Sequence, residues 1–214
     1  MFTVPTADGA DSPWPIFERL LLTHEELGEL ASMIDSEIRV AFLMRLGDWG
    51  KHGRMTLGMC CIPSVQGELK PLFVQLLEDT LGYFPDFLIL LNADWWEEAS
   101  PLQREILVFH EAMHAGQAKD KYGAPRFHRE TGAPIPTIRG HDVEEFTPVV
   151  RRYGAWKSDL AEFLAAAAEA PNAPDNLTPT GPPVVTVGCQ EEADDSSGPE
   201  EPQMTAESTN RGER

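Results

Sequence analysis

The chain has 214 residues, a formal net charge of −18 and 42% hydrophobic residues. That length fits one domain with tails, and the charge argues against nucleic acid or an anionic membrane surface as partner. Without an apolar run of spanning length, a secretory leader at Met1-Phe2-Thr3-Val4-Pro5 or a cysteine framework, the expectation is a cytoplasmic protein with reduced thiols.

Residues 1–15 hold three prolines, small residues and acids, and read as a flexible lead-in. A domain over 16–170 follows. Ile16 to Leu22 suggests a short helix. Thr23-His24-Glu25-Glu26 reads as a capping box before Leu27, Leu30, Ala31 and Ile34, with His24 at the surface. Ile38 to Met44 reads as a strand, Gly47 to Gly53 as a turn, and Arg54 to Ile62 as one further strand. Alternation along that strand sends Cys60 and Cys61 to opposite faces. Pro71 to Leu81 has helical period and stops at Gly82. Phe87 to Leu91 is a short apolar strand, either interior or offering an edge to an extended peptide.

Ser100-Pro101-Leu102-Gln103 is a helix start, with Ser100 at the N-cap, Pro101 at N1 and Gln103 closing a capping box. Leu102, Ile106, Phe109 and Met113 predict a buried stripe on this helix. The adjacent stripe of Gln103, Leu107, His110 and His114 is left available. His110-Glu111-Ala112-Met113-His114 is an H-E-x-x-H sequence. Two histidines four apart leave one helix face a turn apart and can supply two ligands to a tetrahedral Zn²⁺. Glu111, on the same turn, fits a general base acting on water.

Gly116 to Gly140 reads as a long loop made basic by Lys119, Lys121, Arg126, Arg129 and Arg139. His141 to Phe146 should begin a helix that Pro148 kinks or restarts. A last helix runs from Ser158 to about Ala170. Residues 171–214 have a composition too polar for a packed core and read as a disordered acidic tail, in which only Pro183 to Val187 suggests a strand or a partner-binding patch.

A zinc peptidase needs a third protein ligand and an open position. His128, His141, Glu144 and Glu145 are downstream candidates, and His141 is the preferred one. Glu145, four residues on, is an alternative ligand or an acceptor for a ligand histidine N–H, and Glu144 is the next alternative. Arg139 or Tyr153 could stabilise a tetrahedral oxyanion. The function these residues suggest is peptide hydrolysis. A zinc-stapled binding or regulatory module and a dedicated protease with one target are the rival readings.

The chain resembles the phage metallopeptidases in several motifs together. These are His110-Glu111-x-x-His114, the upstream Leu91-Asn92-Ala93-Asp94-x-Trp96, and the downstream His141 to Phe146 with Arg152-Tyr153-Gly154-x-Trp156. The resemblance covers roughly Ile38 to Trp156. It implies a zincin-like minimal protease fold and a phage or prophage origin and supports His141 as third ligand; the element order by itself gives an α+β domain, a small sheet with helices on one side, and peptide hydrolysis a polypeptide substrate. Ala112, where many zincins carry Leu, and Pro148, inside an expected helix, depart from the pattern.

Overall fold

The structure, a computed structural model, describes residues 1–9, 11–51, 54–143, 150–151, 153–155, 158–169 and 184–185. Its central sheet joins β1 (Phe2–Thr3), β2 (Val40–Arg45), β6 (Phe87–Asn92) and β5 (Gly58–Cys61), in that order. β2 and β6 are parallel, and the other two pairs are antiparallel. The helices are α1 (Pro13–Thr23), α2 (Gly28–Asp35), α3 (Lys70–Leu81), α4 (Ala93–Glu98), α5 (Pro101–His114) and α6 (Ser158–Glu169). This is the α+β domain that the sequence suggests, a small mixed sheet with helices packed on it.

All six residues of β6 are buried, as expected of a near-continuous apolar run. The strand lies between β2 and β5, so it is interior and has no edge to offer a peptide. One sheet face carries the main core, where Phe17 and Leu20 of α1, Leu30 and Met33 of α2 and Val108 and Ala112 of α5 meet Phe42, Ile89 and Leu91. Trp14 and Phe17 stack edge-on against Phe42, with centroids 4.9 and 5.4 Å away. Ala41, Leu43, Leu88 and Leu90 form a smaller cluster on the other face, packed against Trp49, Tyr83 and Leu81 at the end of α3. Helical cover is therefore not confined to one side of the sheet. Gly82 ends α3 in the left-handed region at φ 83°, which a side chain would strain.

Several elements differ from their expected form. The lead-in is tied to the domain: Phe2–Thr3 pair with β2, Leu46 N–H donates to Met1 O, Trp96 Nε1–H donates to Asp11 O, and Arg104 pairs with Asp11. α1 begins at Pro13, capped by Ser12. Thr23 makes no capping box; it ends α1, and its hydroxyl donates to Arg19 O. His24 stands half-buried with its ring 5.1 Å from that of Phe109. The strand expected over 54–62 breaks at buried Leu57 into β4 (Arg54–Thr56) and β5. The break has a cause outside the segment, because Asn92 N–H donates to Leu57 O and Asn92 Nδ2–H to Thr56 O. β4 pairs with β3 (Gly50–Lys51) inside the expected turn, and in parallel with β9 (Val184–Val185) from the tail segment. Cys60 faces the main core and Cys61 the smaller cluster, on opposite faces as expected.

Candidate metal centre

α5 carries the capping box as expected. Gln103 N–H donates to Ser100 Oγ, and Ser100 N–H to Gln103 Oε1. Its buried side is not the expected stripe. Leu107, Val108, Glu111, Ala112 and His114 are buried, whereas Leu102 and Ile106 are 46% and 45% exposed and Phe109 and Met113 only half-buried. The sheet takes the small side chains: Ala112, fully buried where many zincins carry Leu, lets α5 lie close on the strands. This rotation turns Glu111 toward the sheet and leaves His110 and His114 at its margin.

The segment after α5 is a hairpin rather than an irregular loop. β7 (Ala115–Gln117) pairs antiparallel with β8 (Pro136–Ile138), and bridges Lys119–Pro125 and Phe127–Pro134 extend it. Glu29 on α2 ties down its base. The carboxylate accepts from Gln117 N–H at 3.0 Å and pairs with Lys119 at 3.2 Å. Against the cost of burial, these partners and Arg139 hold Glu29 below its ordinary value. Ala115 pairs with Ile138, and Arg139 N–H donates to His114 O at 2.7 Å, so the hairpin register sets His141 opposite α5.

The three imidazoles meet there. His110 Nε2 stands 3.3 Å from His114 Nε2 and 3.2 Å from His141 Nε2, and all three ligand atoms lie within 4.8 Å of one another. Neighbouring nitrogens of a tetrahedral Zn²⁺ site, at arms of about 2.0–2.1 Å, are separated by about 3.3–3.4 Å. His114 Nδ1–H donates to Arg139 O at 2.7 Å, which fixes the tautomer and leaves Nε2 its lone pair. Burial, with His114 and His141 close by, pushes His110 down to about 4. Burial lowers His114 as well, with the Arg139 carbonyl acting in the opposite direction. Neutral imidazoles are the ligand form. The cluster fits a metal ion, and among the described residues it is the one group of histidine, cysteine or acidic side chains with that spacing.

Glu111 is fully buried, and the polar group that reaches its carboxyl is the backbone N–H of Cys60, too far out of line for a well-formed hydrogen bond. Burial pushes its carboxyl up to about 8, opposed by the backbone N–H of Cys60. The carboxylate packs on Gly58. A Cβ there would stand 2.7 Å from Glu111 Cδ, so only glycine leaves it room.

His128 is exposed on the hairpin and outside the cluster. His141 to Val143 are not helical, contrary to expectation, and Glu144, Glu145 and Pro148 lie outside the described residues. Arg139 turns its guanidinium Nη2–H to Ala115 O at 3.0 Å and toward Glu29, and enters the centre through its carbonyl. Tyr153 is 66% exposed. Gly58, Glu29 and the Arg139 carbonyl were not foreseen; an isolated glycine inside a strand pattern was the available signal for Gly58.

A small α+β domain in which two imidazoles of α5 converge with that of His141 defines a candidate metal-binding protein. The chain matches the family described as "Putative phage metallopeptidase" over residues 14–168, and it belongs to that family. No curated protein and no solved structure matches it. No helix among the described residues is long and apolar enough to cross a membrane.

Proposed function

We propose that the chain is a zinc-dependent peptidase in which His110, His114 and His141 hold the metal and Glu111 is the general base. The observation that carries this reading is the pair of Nε2 separations, 3.2 and 3.3 Å, with the buried Glu111 carboxyl on the same helix turn. Zn²⁺ held there would acidify a water molecule and polarise the scissile carbonyl. Glu111, ionised when a cation is held beside it, would take a proton from the attacking water and return it to the leaving nitrogen. His114 keeps its orientation through Arg139 O, and Gly58 lets the Glu111 carboxylate lie against β5. A purely structural zinc site has no use for a buried carboxyl with no cation paired to it, which is costly to keep.

The test compares wild type with Glu111→Gln on an unstructured protein, with cleavage read by mass spectrometry. The variant should fold and hold zinc but cleave at least about 100-fold more slowly. Equal, chelator-sensitive cleavage by both forms would overturn the role of Glu111.

A further inference from the structure

The apolar stripe that α5 leaves at the margin of the core, Phe109 and Met113 half-buried against it and Ile106 exposed, borders the histidine cluster. Ile106, Phe109 and Met113 form one wall of a groove of about 540 Å³ that also contains all three histidines. Val143 and Phe163, from two other segments, complete its apolar lining. The volume lies within the range of about 300–1,000 Å³ in which proteins bind small groups. Ile106 and Phe163 are 45% and 57% exposed, so the groove is open to an incoming group. Apolar area left in water at the lip of a polar site is unfavourable unless something covers it. Here the covering group must sit beside the nitrogens that would hold the metal.

We propose that this groove binds a large apolar side chain of the polypeptide substrate, of the Leu, Phe or Met class, and so selects peptide bonds flanked by such a residue. The proposal rests on the peptidase reading for its occupant: a polypeptide held at the cluster must place a neighbouring side chain along α5. Ile106, Phe109 and Met113 are then specificity-determining residues. They offer dispersion contact and dry area but no hydrogen bond, so they discriminate by size and polarity.

The experiment uses labelled pentapeptides Gly-Ala-Xaa-Ala-Gly, with Xaa Gly, Ala, Leu or Phe, on the full chain. Binding to zinc-loaded Glu111→Gln is read by fluorescence anisotropy, and cleavage by wild type by mass spectrometry. Leu and Phe should bind about tenfold or more tighter than Gly. Ile106→Arg should erase that difference while zinc content and circular dichroism stay as in wild type. Phe163→Ser, on a separate element, serves the same purpose should Ile106→Arg fail to fold. Cleavage without any side-chain preference overturns the groove and leaves the peptidase reading intact. Preferential binding without cleavage by wild type does the reverse. Equal binding of all four peptides overturns the proposal, as does a dimer in sedimentation whose dissociation is needed before peptide binds.

Discussion

Glu111→Gln has a thermodynamic consequence that can be measured without any substrate. In the metal-stripped protein the Glu111 carboxyl moves from an ordinary 4.5 when unfolded to about 8 when folded. Between those values the native state holds a proton that the unfolded state has released, so stability falls as pH rises through the window. At about 1.36 kcal/mol per pH unit, the loss from pH 4.5 to beyond pH 8 approaches about 4–5 kcal/mol. Glutamine removes this loss and, having two N–H donors where the protonated carboxyl has one O–H, adds a pH-independent cost of about 1–3 kcal/mol for the extra buried donor. The two stability curves should therefore cross: wild type is the more stable near pH 5, and the variant by about 2–4 kcal/mol at pH 9. For a domain of this size that is a midpoint difference of roughly 4–16 °C. The lowered His110 and His114 add stability that grows as pH rises toward their unfolded value, but they do so in both proteins and cancel in the difference. Thermal or urea unfolding in chelator from pH 5 to pH 9 gives the curves. Restoring zinc should shrink the gap, since a nearby cation favours the carboxylate. A difference that stays flat across that range would refute the description of Glu111 as a carboxyl whose burial raises its pKa.

Elemental analysis should find about one zinc per chain, none in His110→Ala or His114→Ala, and much less in His141→Ala; full zinc in the last would move the third ligand to Glu144 or Glu145. Gly58→Ala should retain zinc yet lose at least about tenfold in cleavage as its methyl displaces the Glu111 carboxylate, and wild-type rates would show that Glu111 works from another position. Among the described residues, deleting 172–214 removes the two-residue pairing of β9 with β4, so urea unfolding should register no more than about 2 kcal/mol and zinc content should not change. A larger loss would mean that the Val184 segment docks on the domain through more than its backbone.

What the sequence made legible was local. α5 follows from Ser100, Pro101 and Gln103, whose capping bonds span three residues. α3 likewise follows from its period and from Gly82. The convergence of His141 on α5 was expected, but the means was not. The stretch 116–140 has no strand period and is crowded with glycine and proline, so its hairpin rests on pairing across the turn and on Glu29 from a distant helix. Similarly, the bend at Leu57 depends on Asn92, 35 residues later. The error over the buried stripe of α5 has the same origin. Periodicity finds the apolar positions of a helix, while the sheet chose the smaller Val108 and Ala112 and admitted a glutamate beside them.

The hairpin between His114 and His141 also separates two lengths that a contiguous metal site would couple. Only its base, where Ala115 faces Ile138 and Arg139 bonds back to His114, sets the distance between ligands. Every residue of its outer part, 119–132, is exposed, and from it Lys119 reaches back to Glu29. Lengthening a flexible tip costs little, about 0.6 kcal/mol for each doubling, whereas a one-residue slip at the base would turn every side chain of β8 over. The arm is thus free to vary in length and cargo while the base holds its spacing. A tag or a short foreign domain inserted between Tyr122 and Gly123 would ride on the molecule without touching the histidines.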